Sequence, residues 1–346
     1  MTLLNEKQSP LARFVARDPN LFRLIIMLVA VFAVMGALRP TIFLRPSNLV
    51  SMAKQFPEYG IMAIGISICM ITGGIDLAVV GTANLAAITT ARFLIASVPK
   101  GSPGGYTLSM ILMGILIALT VGALCGALSG WLISRFRIPP ILATLGTHQL
   151  FTGLAIVITE GRPVSGLPIL FSRLGNKTLA GFLPVPLLLY ALAAIIIGIM
   201  LSKTRFGKQV YLVGTNATAA RFAGLNVKNI IMRTYVTSGM LASLSGLIMM
   251  ARVNSAKADY GASYTLQCVL IAVLGGVNPD GGFGTVGGVT VAVVILQLLS
   301  SGLNMFENVS NFYRDVIWGG VLITVLITNH YLTEHKRRKA LKSASE

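Results

Sequence analysis

Apolar runs separated by short polar segments recur along nearly the whole chain. A membrane-spanning helix needs about 20 mostly apolar residues, and shorter or broken stretches are tolerated where neighbouring helices cover the freed backbone groups. Ten stretches meet this description, centred near residues 29, 65, 87, 120, 150, 191, 243, 270, 294 and 321. Those near 150 and 270 are the shortest or most interrupted. The pattern predicts an all-α polytopic membrane protein of about ten transmembrane helices, some of them short or broken.

The longest polar interruption runs over residues 202–234 and contains six basic residues and no acid. The basic residues are Lys203, Arg205, Lys208, Arg221, Lys228 and Arg233. Within this loop, Thr215 or Asn216 can cap a short helix over residues 217–223, and Gly224 can end it. The residues alone leave two interpretations open: a basic loop that only fixes topology, or a docking helix for a cytoplasmic partner.

The composition supports a membrane protein. Of the 346 residues, 54% are hydrophobic and 11% are charged, and the mean hydropathy is +0.78, whereas about a quarter of the residues of a soluble domain are charged. The net charge of +17 comes from basic residues between and beside the apolar runs. Because these residues form no soluble patch interleaved with aromatics, we expect the lipid bilayer, and no nucleic acid, as a partner.

The basic residues also predict the orientation. With the N-terminus inside, the cytoplasmic segments hold 17 of the 28 Lys and Arg residues, as the positive-inside rule requires. Residues 1–20 then form a cytoplasmic N-terminal segment, residues 202–234 a cytoplasmic loop, and residues 331–346 a cytoplasmic basic tail whose KRRK cluster can touch anionic lipid.

Side chains typical of catalysis or metal binding show no useful spacing. The cysteines form no C-x-x-C motif and the histidines no H-E-x-x-H motif, so neither a disulfide framework nor a metal site is predicted. They are Cys69, Cys125, Cys268, His148, His330 and His335. The sequence shows no nucleophile–base pair, so no catalytic residue is predicted. The Walker A pattern is also absent, since Gly207-Lys208 is followed by Gln209, so any ATP is bound by another chain.

A glycine stripe marks the apolar run around residue 120. In GALCGALSG, Gly122, Gly126 and Gly130 lie four residues apart on one helical face, a spacing that lets two helices approach closely. The stripe predicts tight helix packing, either within one subunit or at a dimer interface.

Two glycine breaks interrupt apolar runs beside an acid. In TGGIDLAVVG, residues 72–81, Gly73-Gly74 precede Asp76; a carboxylate there is costly unless it faces a cavity or a partner, and the freed backbone groups can bind a polar solute. Asp76 can alternatively cap the following helix at a membrane surface. LGGVNPDGGFGTVGG, residues 274–288, has the same plan and seven glycines. The candidate solute pathway is Gly73, Gly74, Asp76, Gly275 and Gly276.

Four segments resemble, in order, the permease subunits of bacterial ABC importers of the ribose and simple-sugar type. They are TGGIDLAVVG, IPPILATLGT, TRFGKQVYLVGTNATAARFAGLNV and LGGVNPDGGFGTVGG, and the likeness covers residues from about 45 to 330. The family usually has Ser at Ala78 and a Gly near Val80. The resemblance implies one permease domain over residues 1–346, in the bacterial inner membrane. It also implies that an ATPase contacts the central loop at Gly214, Asn216, Ala219, Ala220, Arg221 and Gly224.

The same resemblance implies the rest of the assembly. Two permeases, identical or different, work with two ABC ATPases that bind ATP, and a soluble periplasmic protein delivers the solute, because the outer loops are short. The chain itself is then not an enzyme and binds no cofactor. A monosaccharide or a furanosyl signalling molecule of the autoinducer-2 kind is the expected solute. The competing class is an ion- or proton-coupled secondary transporter, which needs several intramembrane carboxylates or a carboxylate–base pair; only Asp76 is a good candidate.

Overall fold

The structure, a computed structural model, describes residues 19–99, 101–179 and 181–306, together with residues 316, 317, 319, 320, 323 and 327. Within residues 19–306 the helices are α1 (Pro19–Leu38), α2 (Pro40–Phe43), α3 (Pro46–Ile71), α4 (Val79–Ser97), α5 (Gly104–Phe136), α6 (Pro140–Thr159), α7 (Ile169–Asn176), α8 (Val185–Lys203), α9 (Arg205–Thr215), α10 (Ala217–Phe222), α11 (Val227–Val253), α12 (Tyr264–Leu274) and α13 (Val286–Leu303). The strands are β1 (Val164–Ser165), β2 (Thr178–Leu179), β3 (Leu183–Pro184) and β4 (Ser255–Ala256).

The chain is an all-α polytopic bundle, as predicted. Nine of the ten predicted span centres fall within helices, and seven of the described helices are long and apolar enough to cross a membrane. The region near residue 150 is a full helix of 20 residues, whereas α12, near residue 270, has only 11. The predicted centre near residue 321, residues 1–18 of the N-terminal segment and the tail at 331–346 lie outside the described residues.

The centre of the bundle is formed by α3 and α11. From Pro57 to Ile71 every residue of α3 is buried, as expected for a helix that is enclosed rather than amphipathic. By contrast, α1, α5, α6 and α8 leave many large apolar side chains exposed, which suits helices that face lipid. At one end of the bundle, β1 pairs antiparallel with β4 and β2 with β3.

The glycine stripe of α5 packs against α11 within the same chain. A β-carbon at Gly122 would collide with the carbonyl oxygen of Gly239, and one at Gly126 with that of Tyr235. At Gly130 it would lie 3.1 Å from the Cα of Met232. Of the two predicted partners of this stripe, the structure therefore shows the intramolecular one.

The central loop contains more helix than the sequence analysis predicted. Its first two residues still belong to α8, and its last eight form the first two turns of α11, so residues 204–226 connect the two spans. Within them, α9 precedes the predicted short helix and was not anticipated. Its N-terminus is capped by Thr204, whose Oγ1 accepts a hydrogen bond from the Gly207 N–H at 3.1 Å.

Candidate coupling and translocation site

The predicted short helix exists as α10. The Oδ1 atom of Asn216 accepts a hydrogen bond from the Ala219 N–H at 2.9 Å, so Asn216 rather than Thr215 is the cap. The helix ends at Phe222, one residue before the predicted end, and Gly224 follows with φ of 81°. The Leu225 N–H donates to the carbonyl of Ala220 at 3.0 Å, and the Gly224 N–H to that of Arg221 at 3.0 Å. This pair of bonds is a Schellman motif, in which glycine adopts the left-handed conformation at low cost.

The six residues predicted to contact an ATPase lie in two different environments. Ala219, Arg221 and Gly224 are exposed, and the side chain of Asn216 is engaged in the cap. Ala220 is buried against the rest of the chain, and Gly214 lies in a tight contact described below. Sequence analysis missed Phe222, which is 90% exposed at the end of α10; the available signal was an aromatic residue beside Arg221 in a basic surface turn.

Helix α9 docks on both glycine breaks, at a contact we call the glycine junction (Gly73, Gly214, Gly281 and Gly282). The Gly282 N–H donates to the carbonyl of Ile71, the last residue of α3, at 2.9 Å. A β-carbon at Gly281 would lie 2.8 Å from the Gly214 oxygen and 2.9 Å from the Gly73 nitrogen. At Gly214 it would collide with the Ile71 oxygen. Three chain segments therefore meet backbone to backbone.

One side chain supports the glycine junction. The hydroxyl of Tyr211, on α9, donates to the carbonyl of Gly284 at 2.7 Å. Burial raises the pKa of Tyr211, so this hydroxyl stays protonated and remains a donor. Larger residues are disfavoured at Gly73 and Gly281 because both have positive φ, 82° and 93°. At Gly281 there is also no space for a β-carbon.

Asp76 is 3% exposed and fully engaged by protein groups. Its Oδ2 accepts from the hydroxyl of Ser238 on α11 at 2.7 Å, and its Oδ1 accepts from the Ala78 N–H at 3.0 Å. The second bond lies directly before α4, close to the predicted capping role. Asp76 thus braces the first break against α11, and its predicted place on a solute pathway stays a prediction.

The other pathway candidates are not all brought together. A β-carbon at Gly74 would lie 3.3 Å from Pro140 and would collide with the Tyr235 hydroxyl, so Gly74 packs against α6 and α11. A β-carbon at Gly275 would instead lie 2.7 Å from the Cα of Val289, at the crossing of α12 and α13, and Gly276 lies beside Asn20 of α1. The glycine-rich segment reaches the first break through Gly281 and Gly282, and not through the predicted pair.

Helix α6 presents a polar face to the first break and to α4. The Thr144 hydroxyl donates to the carbonyl of Ile75 at 3.1 Å. Further along, His148 Nδ1 and Thr152 Oγ1 are buried and have no hydrogen-bond partner among the described residues, and the same holds for the hydroxyl of Tyr235. Sequence analysis missed this face, although Thr144, His148 and Thr152 recur every four residues in an apolar helix.

Halfway along α3, the buried Glu58 forms an ion pair that sequence analysis also missed. Both oxygens of Glu58 contact the guanidinium of Arg252 on α11, Nη2 to Oε2 at 3.1 Å and Nε to Oε1. Ser245 donates to the Glu58 carbonyl, and the Tyr264 hydroxyl lies 3.5 Å from Oε2. The pair is a carboxylate–base pair of the kind a secondary transporter needs, but an arginine does not release its proton and so cannot carry one.

Broken helices joined to a capped surface helix define a polytopic transport protein. A protein-family model described as "Branched-chain amino acid transport system / permease component" matches residues 48–326, so the chain belongs to this family of permeases. It is a transport subunit of the ABC-importer type, multi-pass in the bacterial inner membrane, as the resemblance implied.

Individual relatives cover most of the chain. The ribose import permease of Bacillus subtilis is 32% identical over 85% of this chain and 88% of its own length. The ribose import permease of Haemophilus influenzae is 28% identical over 91% of this chain and 94% of its own length. The autoinducer 2 import system permease of Escherichia coli K12 is 29% identical over 87% of this chain and 89% of its own length. No solved structure matches the chain.

Proposed function

We propose that this chain conducts a monosaccharide or a similar polyol-like solute into the cell, driven by ATP hydrolysis on a separate cytoplasmic ATPase. The relatives that import ribose and autoinducer 2 support this solute class. The unpartnered atoms of His148, Thr152 and Tyr235 suit hydroxyl groups, which both donate and accept hydrogen bonds. An amino acid would need charged partners, and Asp76 and Glu58 are already engaged.

The observation that best supports ATP-driven transport is the glycine junction. An ATPase that closes on ATP would push on α10, which leads directly into α9 across Asn216. Because no side chains separate Gly214 from Ile71 and Gly282, a displacement of α9 passes from backbone to backbone into both breaks. Packed interfaces switch between discrete arrangements rather than deforming gradually, so such a push rocks α3 and α13 and exchanges outward for inward access.

We also propose the partners of this assembly. Arg221 and Phe222 project from α10 and offer the ATPase a charge and an aromatic anchor, the residue types that dominate protein interfaces. A second permease, identical or different, completes the pathway, and a periplasmic solute-binding protein delivers the solute. ATP binds the partner subunit.

The coupling role is tested by recovering the ATPase with the chain from its native host. Wild type should bring down an ATPase and stimulate its hydrolysis. Arg221→Glu reverses the charge at the contact and should lower both the recovery of the ATPase and the stimulation of its ATP hydrolysis at least fivefold. Gly224→Val strains the turn and should lower the stimulation of ATP hydrolysis. Lys228→Glu, an exposed basic residue at the start of α11, is the matched control and should change neither. An ATPase absent from the wild-type sample would overturn the importer; one bound and stimulated equally by all variants would overturn only the role of α10.

The solute and the energy source are tested by uptake into reconstituted vesicles. We expect labelled ribose or autoinducer 2 to enter, and labelled leucine not to enter, only with ATP and the binding protein present. Uptake should survive collapse of the proton gradient. Uptake that needs the gradient and ignores ATP would instead indicate the secondary transporter.

A further inference from the structure

An apolar cavity lies on the side of the bundle away from the central loop. Its volume is about 270 Å³. It lies between α5 and α8, and residues of α11 and α7 complete its walls. Its walls are formed by Ile111, Ile115, Phe171, Leu174, Gly175, Val185, Pro186, Leu189, Leu244, Leu247, Ile248 and Ala251. Apart from Gly175, which has no side chain, every wall residue has an apolar side chain, so the cavity offers no side-chain hydrogen bond to a solute.

Hydrocarbon is the occupant that these walls favour. An apolar cavity of about 150 Å³ already stays dry in a soluble protein and binds small hydrocarbons instead. This cavity is larger, and the neighbouring residues of α5 and α8, such as Leu116 and Leu192, are exposed on a face that meets the bilayer. Acyl chains are the hydrocarbon available at that face.

Two basic residues flank the cavity. Arg173 directly precedes the wall residue Leu174, and Lys177 is joined to the wall residue Val185, whose N–H donates to the Lys177 carbonyl at 3.1 Å. Both are exposed, and neither forms an ion pair within the described part of the chain. They are among the positive charges that the positive-inside rule leaves outside. Ile169 and Phe182 are exposed nearby, as in a segment lying in the membrane interface.

We propose that the cavity binds one acyl chain of an anionic glycerophospholipid, with Arg173 and Lys177 holding its phosphate. The apolar walls select a chain, and the two basic side chains select a negative headgroup. The site goes beyond the transport function and lies between α5 and α8, away from the glycine junction.

The test measures retained lipid on the full-length purified chain. After washing in detergent, phosphatidylglycerol is added and bound lipid is counted by native mass spectrometry, with phosphatidylcholine of the same acyl chains as the comparison. Ile115→Trp fills the cavity, and Leu189→Phe obstructs it more mildly from the opposite wall. Leu116→Trp is the matched control, since Leu116 is the next residue but 60% exposed.

We expect wild type and Leu116→Trp to retain one phosphatidylglycerol per chain and to melt at a higher temperature in its presence. Ile115→Trp and Leu189→Phe should reduce retention at least fivefold. Arg173→Gln with Lys177→Gln should remove the preference for phosphatidylglycerol over phosphatidylcholine. Retention that both filling variants leave unchanged, or that Leu116→Trp lowers equally, overturns the site; an unchanged headgroup preference in the double variant overturns the role of the two basic residues.

Discussion

The middle and the C-terminal end of the central helix α3 are held in different ways. In the middle of the helix, Glu58 is fully buried and bound through its side chain to Arg252. At the C-terminal end, Ile71 is held by the Gly282 N–H and lies against Gly214, with no side chain between them. The first contact is made by long, charged side chains, and the second by backbone atoms alone.

The two kinds of contact respond differently to a movement of the helices. A buried ion pair fixes a partner and a register but leaves side-chain torsions free, so small helix movements are absorbed by rotation of the Arg252 side chain. Backbone atoms in van der Waals contact have no such freedom, and a movement on one side must be followed on the other. The Glu58–Arg252 pair therefore suits a pivot, and the glycine junction suits a transmitter of force.

The largest effect is expected at the junction. Gly214→Val places side-chain atoms where the Ile71 carbonyl lies, and overpacking against backbone, which cannot rotate away, costs about 3 kcal/mol or more. We expect ATP-driven uptake to fall at least tenfold and the melting temperature in detergent to drop. Gly287→Val, at a glycine with open space around it, is the control. Equal uptake by both variants would show that the junction does not transmit.

A double-mutant cycle at the Glu58–Arg252 pair gives the next largest effect. Glu58→Gln leaves Arg252 without its counter-charge, and because the arginine side chain is 29% exposed the cost should be about 2 kcal/mol rather than that of a fully buried pair. Arg252→Gln should cost a similar amount, and the double variant little more than either. Stability is read from thermal unfolding in detergent. Strictly additive losses would contradict a direct pair.

A second ion pair nearby serves as the control. Lys257 Nζ lies 2.8 Å from Asp259 Oδ2, but both side chains are exposed. Lys257→Gln should leave the melting temperature unchanged, because solvent screens an exposed pair. A loss of stability comparable to that of Glu58→Gln would mean that surface charge, and not burial of the ion pair, stabilises this region.

Periodicity predicted the span centres, and local chemistry predicted α10, because the information for both lies within a few neighbouring residues. A run of about 20 apolar residues specifies a span wherever it sits, and Asn216 and Gly224 specify helix ends through their own backbone neighbours. These features needed no knowledge of what packs against them.

The contacts between distant segments were harder to predict. Gly275 and Gly281 look alike in a segment with seven glycines, and only the packed chain distinguishes the one against Val289 from the one against Gly214. Glu58 and Arg252 lie 194 residues apart on two different helices. Each of the two residues borders an apolar run, and a charge in that position also fits a solvated loop. The sequence therefore contains no sign that the two residues pair.

A smaller loss is expected where the first break is braced. Ser238→Ala removes one of the two donors to the Asp76 carboxylate, and a buried charge that loses one hydrogen bond costs about 1–2 kcal/mol. Ser243→Ala on the same helix is the control, because its hydroxyl bonds only within α11, to Met240. Melting temperature and uptake should fall more for Ser238→Ala. The reverse order would show that Asp76 does not depend on α11.

The smallest effect is expected from Tyr211→Phe, which removes the hydrogen bond from that hydroxyl to the Gly284 carbonyl and leaves the ring and the glycine contacts in place. One neutral hydrogen bond contributes about 1 kcal/mol, so the variant should lose little stability and less than threefold in uptake. Tyr106→Phe, which removes a similar bond to Ser97 far from the junction, should match it in stability and leave uptake unchanged. If Tyr211→Phe instead impairs uptake as strongly as Gly214→Val, the junction transmits through its one side-chain bond. A small loss beside a large one at Gly214 would assign transmission to backbone contact, which glycine permits because it has no β-carbon.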